Sequence, residues 1–165
     1  MLQRAAEAID SLIDAVGRIA AWACFALVLV MAGNVLLRYG FATGSVWSQE
    51  LEWHLMSPIA LIGMSYALRH GEHVRVDVLF ARFTPRLQAA IDLLAAALLV
   101  AVALVVMQLS FGYVGQSWRV NEGSANPGGI PYRWALKALI PVGFALLALQ
   151  ALSTLLRAVR RLRAA

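Results

Sequence analysis

The chain has 165 residues, of which 61% are hydrophobic and only 14% are charged, whereas an ordinary soluble domain carries about 25% charged residues. This balance disfavours a soluble monomer, because so short a chain could keep its apolar side chains out of water only in lipid or against a partner. The net charge of +5 does not indicate a nucleic-acid partner, since the basic residues flank apolar runs instead of forming one stripe. We therefore predict one all-α integral membrane domain over residues 1–165.

The first predicted element is an amphipathic helix over residues 1–17. Its apolar residues recur every three or four positions, while Glu7, Asp10 and Asp14 are assigned to the opposite face together with Arg4. This pattern predicts a helix lying at the membrane surface. Because anionic lipid repels an acidic face, this helix could be held in place by a neighbouring protein as well as by lipid headgroups.

Four apolar segments long enough to cross a bilayer follow this helix. A helix of nineteen residues covers about 28 Å, close to the hydrocarbon thickness of a membrane. Thr84 and Pro85 predict an N-cap and a first-turn proline at the start of the third segment, and Pro141 near the start of the fourth predicts only a modest bend. The turn-rich residues 121–132 predict a loop. The predicted spans are residues 19–37, 47–68, 86–114 and 134–156.

The distribution of basic residues predicts the orientation. With four spans, the two termini and the loop between the second and third spans share ten Lys and Arg residues, and the opposite side has four. Since cytoplasmic loops carry the excess of Lys and Arg, we expect both termini to be cytoplasmic.

The second span contains the polar residues that most need an explanation, because an ionisable group at mid-membrane costs about 2.5 to 3.5 kcal/mol. Glu50 and His54 share a helix face, and Glu52 points elsewhere. They could begin a proton or cation relay, but beyond His54 the span offers only Ser57 and Ser65. We therefore favour a structural role in which Glu50 pairs with His54 or with a basic residue of a partner.

Neither a catalytic nor a metal site is predicted, because the sequence lacks a nucleophile motif and a Cys/His grouping with metal-ligand spacing. A haem-bearing membrane anchor would need axial histidines on two spans, whereas His70 and His73 lie in or beside a predicted loop and only His54 lies within a span. A stand-alone four-helix transporter would be expected to carry an acid deep in its first span, which has none. Both remain alternatives to a subunit of a larger complex.

Four groups of residues resemble one known family. They are Asn34-Val-Leu-Leu-Arg38-Tyr39, Trp47-Ser-Gln-Glu50-Leu, Arg69-His-Gly71-Glu-His73-Val-Arg75-Val-Asp77, and Gly129-Ile-Pro131 followed by Lys137, Pro141-Val-Gly-Phe and Leu149-Gln. In this order on four spans, they resemble the small membrane subunit of TRAP transporters, the DctQ-like small permeases. The family often has two adjacent acids after the tryptophan, and here Gln49 replaces one of them.

The resemblance implies an importer in the bacterial inner membrane that takes up an organic acid or related solute with a sodium gradient. Its expected partners are a large permease subunit, a periplasmic solute-binding protein and membrane lipids. The chain itself is expected to act as a scaffold without a cofactor, because sodium coupling belongs to the large subunit in that family. The candidate structural and subunit-interface residues are Arg38, Trp47, Glu50, His54, Arg69, Gly71, His73, Arg75, Asp77, Pro131, Lys137 and Pro141.

Overall fold

The computed structural model describes residues 2–71 and 80–164, and this part of the chain forms four long helices without a strand. The helices are α1 (Leu2–Phe41), α2 (Val46–His70), α3 (Pro85–Arg119) and α4 (Arg133–Ala164). Three of them, α1, α3 and α4, are long and apolar enough to cross a membrane. The fold is therefore all-helical, as predicted, and the protein is a membrane protein.

Helix α1 differs from the expectation of a separate helix at the membrane surface. From Leu2 onward, the predicted surface helix and the first predicted span form one continuous helix, α1, of 40 residues. Its buried positions alternate at spacings of three and four residues over this region, which places them on one stripe. They are Ala6, Asp10, Ile13, Gly17 and Ala20. The stripe packs against α2 and α4, so the apolar face of this segment meets the bundle.

Two local signals set the ends of helices, and the second of them was predicted from the sequence. Gly71 caps α2 with a positive φ of 78°, and its backbone N–H is directed to the carbonyl oxygens of Ala67 and Leu68. Glycine adopts this left-handed conformation without a steric penalty. At the start of α3, the Thr84 hydroxyl accepts a hydrogen bond from the Leu87 N–H at 3.4 Å, and Pro85 occupies the first turn. The prediction of a cap and a first-turn proline is confirmed.

Helix α3 packs on α4 through small residues that repeat every seven positions. They are Ala89, Ala96, Ala103, Ser110 and Ser117, and all are buried. A seven-residue repeat returns to nearly the same face after two helical turns, and small side chains let two backbones approach closely without lipid between them. The opposite face of α3 carries exposed leucines and valines.

Helix α4 is the centre of the bundle, because it packs against each of the other three described helices. Leu147 and Ala148 of α4 form the core with Ala103 of α3. Gly143 gives α2 its close approach, since a Cβ atom there would lie 2.8 Å from both the Cβ and the carbonyl oxygen of Leu61. Pro141 lies within α4 and does not end it. Because α4 begins at Arg133, this proline is not near the helix start as predicted, and it lies beyond the first turn, where a missing N–H would cost no hydrogen bond.

Candidate functional site

Two clusters of ionisable and polar side chains lie near opposite ends of α2. Glu50 lies in the second turn of α2 and Arg69 in its last turn, so a helical rise of 1.5 Å per residue separates them by about 28 Å. We call the first group the Glu50 cluster. It contains Glu50, Ser124, Asn126, Ile130 and Arg133. The second is the Asp10 cluster, which contains Asp10, Asp14, Arg69, His70, Gln150, Ser153 and Arg157.

The Glu50 cluster ties the loop between α3 and α4 to the start of α2. The Glu50 side chain is only 4% exposed, and its carboxylate accepts hydrogen bonds from the Ile130 N–H at 2.7 Å and from Arg133 at 3.1 Å. The hydroxyl of Ser124 and the side-chain amide of Asn126 also donate to it. One carboxylate therefore holds three loop residues and the first residue of α4.

Glycine is required where the loop crosses Glu50. A Cβ atom on Gly129 would lie 2.3 Å from the Ser124 Oγ atom and 2.6 Å from the Glu50 Oε2 atom, closer than real Cβ contacts. The loop can therefore approach the carboxylate only with a hydrogen at this position. This explains one residue of the Gly-Ile-Pro motif, whose Pro131 is exposed at the surface.

The expected pairing of Glu50 with His54 is wrong, while its alternative, a basic residue of a partner, stays a prediction. The carboxylate is paired within the chain by Arg133, and the His54 Nδ1 atom lies 2.7 Å from the backbone oxygen of Glu50 instead. Helical spacing places Glu50 and His54 on one face, but a histidine four residues on can also reach the backbone carbonyl. The arginine is 83 positions away, beyond any local pattern.

A second ion pair stabilises the same loop. Lys137 of α4 pairs with Glu122 and lies 4.0 Å from the centroid of the Tyr113 ring. The hydrogen bond from Lys137 is the largest of the effects that hold the pKa of Glu122 below its usual value of 4.5. The rings of Trp118 and Trp134 also meet edge to face, 4.4 Å apart. The loop is thus fixed to the ends of both α3 and α4.

The surface between α1 and α2 at this end is more open. Asn34 of α1 donates a hydrogen bond to Glu52 of α2, so Glu52 lies on a different face from Glu50, as predicted. Arg38 and Trp47 are exposed and line a shallow cavity of about 280 Å³ beside Asn34. These two candidates remain accessible to a neighbour in a complex.

The Asp10 cluster joins α1, α2 and α4 near the other end of α2. Asp10 is 5% exposed and is paired with Arg157 and, at 3.2 Å, with Arg69. Gln150 and Ser153 donate hydrogen bonds to the same carboxylate at 3.3 and 3.1 Å. The assignment of Asp10 to a face opposite the apolar residues is therefore wrong. Its spacing of four residues from Ala6 and three from Ile13 already places it on the buried stripe.

Asp14 completes this cluster at its exposed edge. It pairs with Arg69 at 3.3 Å and with the His70 Nε2 atom at 3.2 Å. The Tyr66 ring contacts His70, with 4.3 Å between ring centroids, and it fills the space that a Cβ atom of Gly17 would need. Arg69 thus serves as a structural residue. His73, Arg75 and Asp77, the other candidates from this motif, lie outside the described residues.

The arrangement supports packing more directly than transport chemistry. In α1 to α4, carboxylates occur only at Glu7, Asp10, Asp14, Glu50, Glu52 and Asp92. These positions lie toward the helix ends, and the long central stretches of α1, α3 and α4 contain none. Within residues 2–71 and 80–164, no group of three or more His, Cys, Asp or Glu side chains is placed to hold a metal ion.

Comparison with known proteins agrees with this architecture. The chain is 27% identical over 147 residues to the C4-dicarboxylate TRAP transporter small permease protein DctQ of Vibrio cholerae serotype O1, an alignment that covers 74% of this chain. The chain spans 61% of the length of that relative. The family model of the DctQ component of tripartite ATP-independent periplasmic transporters matches residues 27–161, which include both ends of α2 and the loop held by Glu50. Since this match covers most of the chain, the protein belongs to the DctQ family of small TRAP transporter permease subunits.

Proposed function

We propose that this chain is the scaffold subunit of a sodium-driven TRAP importer, packing beside a large permease in the bacterial inner membrane. The observation that carries the proposal is the placement of charge. Carboxylates lie toward the ends of the described helices and have partners there, while the central parts of α1 and α3 carry exposed apolar side chains. A dehydrated ion would find no counter-charge along such a route.

The exposed apolar faces support a lateral partner. Phe25 and Leu29 on α1 are 55% and 57% exposed, and Leu98 and Val105 on α3 are 58% and 57% exposed. Lipid or another membrane subunit can cover such surfaces equally well. The large permease would occupy one of them and hold this chain as part of its immobile framework.

The loop over Glu50 supports a second contact outside the membrane. Its bonds to Glu50, Arg133 and Lys137 order a surface that would otherwise be a flexible glycine-rich connection. Fixing such a surface before binding lowers the entropic cost of association. With both termini in the cytoplasm, this loop faces the periplasm and can help to dock the solute-binding protein.

Topology reporters test the orientation directly. Fusions after Ala165 and between Arg75 and Thr84 should report cytoplasm, whereas fusions near Ser45 and Ser124 should report periplasm. A cytoplasmic signal near Ser124 would contradict the proposed docking of the binding protein on this loop.

Reconstitution tests the function. The relative is named for C4-dicarboxylates, so succinate is the first substrate to assay in liposomes with an imposed sodium gradient. The chain alone should give no uptake, and uptake should require the large permease, the binding protein and this chain together. Sodium-dependent uptake by this chain alone would refute the scaffold role and favour a stand-alone transporter.

Cysteine labelling identifies the face that the large permease covers. Cys24 is the only cysteine of the chain and is exposed on α1. A Cys24→Ser variant with cysteine introduced at Leu98 provides the matched site on α3. Assembly with the large permease should protect one of these sites from maleimide and leave the other reactive. Equal reactivity of both sites before and after assembly would contradict lateral packing on α1 or α3.

A further inference from the structure

A basic cavity lies beside the Asp10 cluster, between the end of α2, the start of α3 and the last turns of α4. Its volume is about 410 Å³. The described residues that line it include three arginines and a histidine, against a single carboxylate. These charged and titratable residues are Arg69, His70, Arg157, Arg161 and Asp92. Asp10 and Asp14 are not among these lining residues, but they pair with Arg69, Arg157 and His70. An anion would therefore be held by the guanidinium N–H donors that these pairs leave unused, and not by an excess of positive charge.

The guanidinium groups of this cavity retain hydrogen-bonding capacity. Each arginine has five N–H donors. Because Arg69 and Arg157 share the single carboxylate of Asp10, that carboxylate cannot occupy all of their donors. The Nε atom of Arg69 is buried without a hydrogen-bond partner among the described residues. Arg161 reaches Asp92 only at 3.8 Å, and its side chain is 72% exposed. A phosphate group offers several acceptor oxygens in the geometry that guanidinium groups bind best.

A buried polar group at the same cavity also lacks a partner. Gln150 is 1% exposed and lines the cavity. Its amide nitrogen donates to Asp10, and its Oε1 atom has no hydrogen-bond partner among the described residues. Buried amide oxygens are normally satisfied. Because this oxygen is an acceptor, a ligand could satisfy it only with a donor such as a hydroxyl group, and not with a phosphate oxygen.

Apolar surface adjoins the basic lining. Leu68 lines the cavity and also packs with Leu99 of α3 against the core residues Leu147 and Ala148. Among the described residues, α2 and α3 both pack on α4 and share at most a marginal contact with each other. The cavity therefore lies where a groove between α2 and α3 reaches the charged end of the bundle. An acyl chain can follow such a groove, whereas a free phosphate gains nothing from it.

We infer that this cavity binds the phosphodiester headgroup of an anionic phospholipid, with Arg157, Arg161 and His70 at the phosphate and an acyl chain along Leu68 and Leu99. Basic pockets between membrane helices are known places for anionic headgroups. The bound lipid would join α2, α3 and α4, of which α2 and α3 share at most a marginal contact with each other. This inference concerns the chain itself and does not require the large permease.

The test is lipid binding by the full chain in neutral detergent. Phosphatidylglycerol and phosphatidylcholine are titrated separately, and retained lipid is counted by native mass spectrometry while Tm is followed in parallel. Phosphatidylglycerol should bind as one retained molecule and raise Tm, and phosphatidylcholine should do neither at the same concentration. Inorganic phosphate, added alone and as a competitor, distinguishes a free anion from a lipid headgroup.

Two variants of the same helix localise the site. Arg161→Gln removes a lining guanidinium that is mostly exposed, and Arg160→Gln removes the same charge one position away, at a residue that is exposed and is not among the described lining residues. Arg161→Gln should weaken phosphatidylglycerol binding about five-fold. Arg160→Gln should change it by less than about two-fold, since Arg160 is not among the described residues that line the cavity. Circular dichroism and a single elution peak confirm that both variants fold.

Three results would overturn the inference. Equal retention of phosphatidylcholine and phosphatidylglycerol would show that the headgroup charge is not recognised. Equal effects of the Arg160→Gln and Arg161→Gln variants would assign binding to general surface charge. Full displacement of the lipid by inorganic phosphate, with the same rise in Tm, would make the occupant a free phosphate.

Discussion

Replacing Asp10 with asparagine should destabilise the chain far more than the same change at Asp14. Asp10 is 5% exposed, and its replacement leaves two guanidinium groups, Arg69 and Arg157, without their shared carboxylate. Removing one partner of a buried ion pair costs about 3 to 5 kcal/mol. Because the two arginine side chains are 27% and 40% exposed, water can compensate in part, and we expect about 3 kcal/mol.

Asp14 is the matched control for this prediction. It lies one turn further along α1 and also pairs with Arg69, but its side chain is 36% exposed. An exposed pair contributes at most about 1 kcal/mol, so Asp14→Asn should cost no more than that.

The assay is the free energy of unfolding of the purified chain, measured by titrating mixed micelles with a denaturing detergent. Circular dichroism follows the loss of helix. The double variant Asp10→Asn with Arg157→Gln should recover part of the loss, because the unpaired buried charge is removed with its partner. If Asp10→Asn and Asp14→Asn differed by less than about 0.5 kcal/mol, the buried pairing of Asp10 would not contribute to stability and the reasoning would fail.

Three further predictions follow from close packing and from the loop. Gly143→Ala should lower the free energy of unfolding by about 1 to 2 kcal/mol, because its Cβ atom meets α2 and the cost of overpacking exceeds the gain in helix propensity; the same detergent titration measures this loss. Glu50→Gln should speed amide hydrogen exchange in the loop between α3 and α4, because the charged acceptor of four donors is lost; mass spectrometry of its peptides measures the rate. The lowered pKa of Glu122 means that its pairing with Lys137 stabilises the fold at pH values above the unfolded value of 4.5. This contribution should disappear as the pH falls through the folded pKa. The difference in Tm between the native chain and Glu122→Gln, measured against pH, reports it.

Each of these three has a control in the same chain. Gly112→Ala on α3 places a Cβ atom where nothing lies within 4 Å, so it should be neutral or slightly stabilising. Glu52→Gln removes a carboxylate of α2 that faces Asn34, and it should leave exchange in the loop unchanged. A difference in Tm between the native chain and Glu122→Gln that stayed constant from pH 7 to well below 4.5 would contradict the ionic origin of that stabilisation.

Local pattern predicted most of the elements of this fold. The apolar runs predicted the helices, and the Thr84-Pro85 pair predicted the start of α3, because caps and periodicity depend on neighbours within about four residues. The glycine-rich stretch predicted the loop after α3 for the same reason. The family resemblance also came from the sequence, through short motifs in a fixed order.

Local pattern was less successful with the polar residues. Asp10 was assigned to the wrong face although its spacing from Ile13 indicates burial, because an acid among apolar residues is usually solvated. The surface helix at the N-terminus was predicted to be separate from the first span, yet residues 14 to 19 contain no signal that ends a helix. What local pattern could not give is the partner of this buried face, since α4 is distant in sequence.

The sequence by itself determined the membrane character, the helical elements, the loop and the family of this protein, because these follow from composition, short-range spacing and motif order. Only the tertiary structure decided which charges pair. Glu50 meets Arg133 across 83 positions, and Asp10 meets Gln150 across 140. Helical periodicity gives the face on which a side chain lies, but its partner is chosen by how the helices assemble around α4. The basic cavity likewise exists only because the ends of α2, α3 and α4 meet, so no single segment of the sequence could have predicted it.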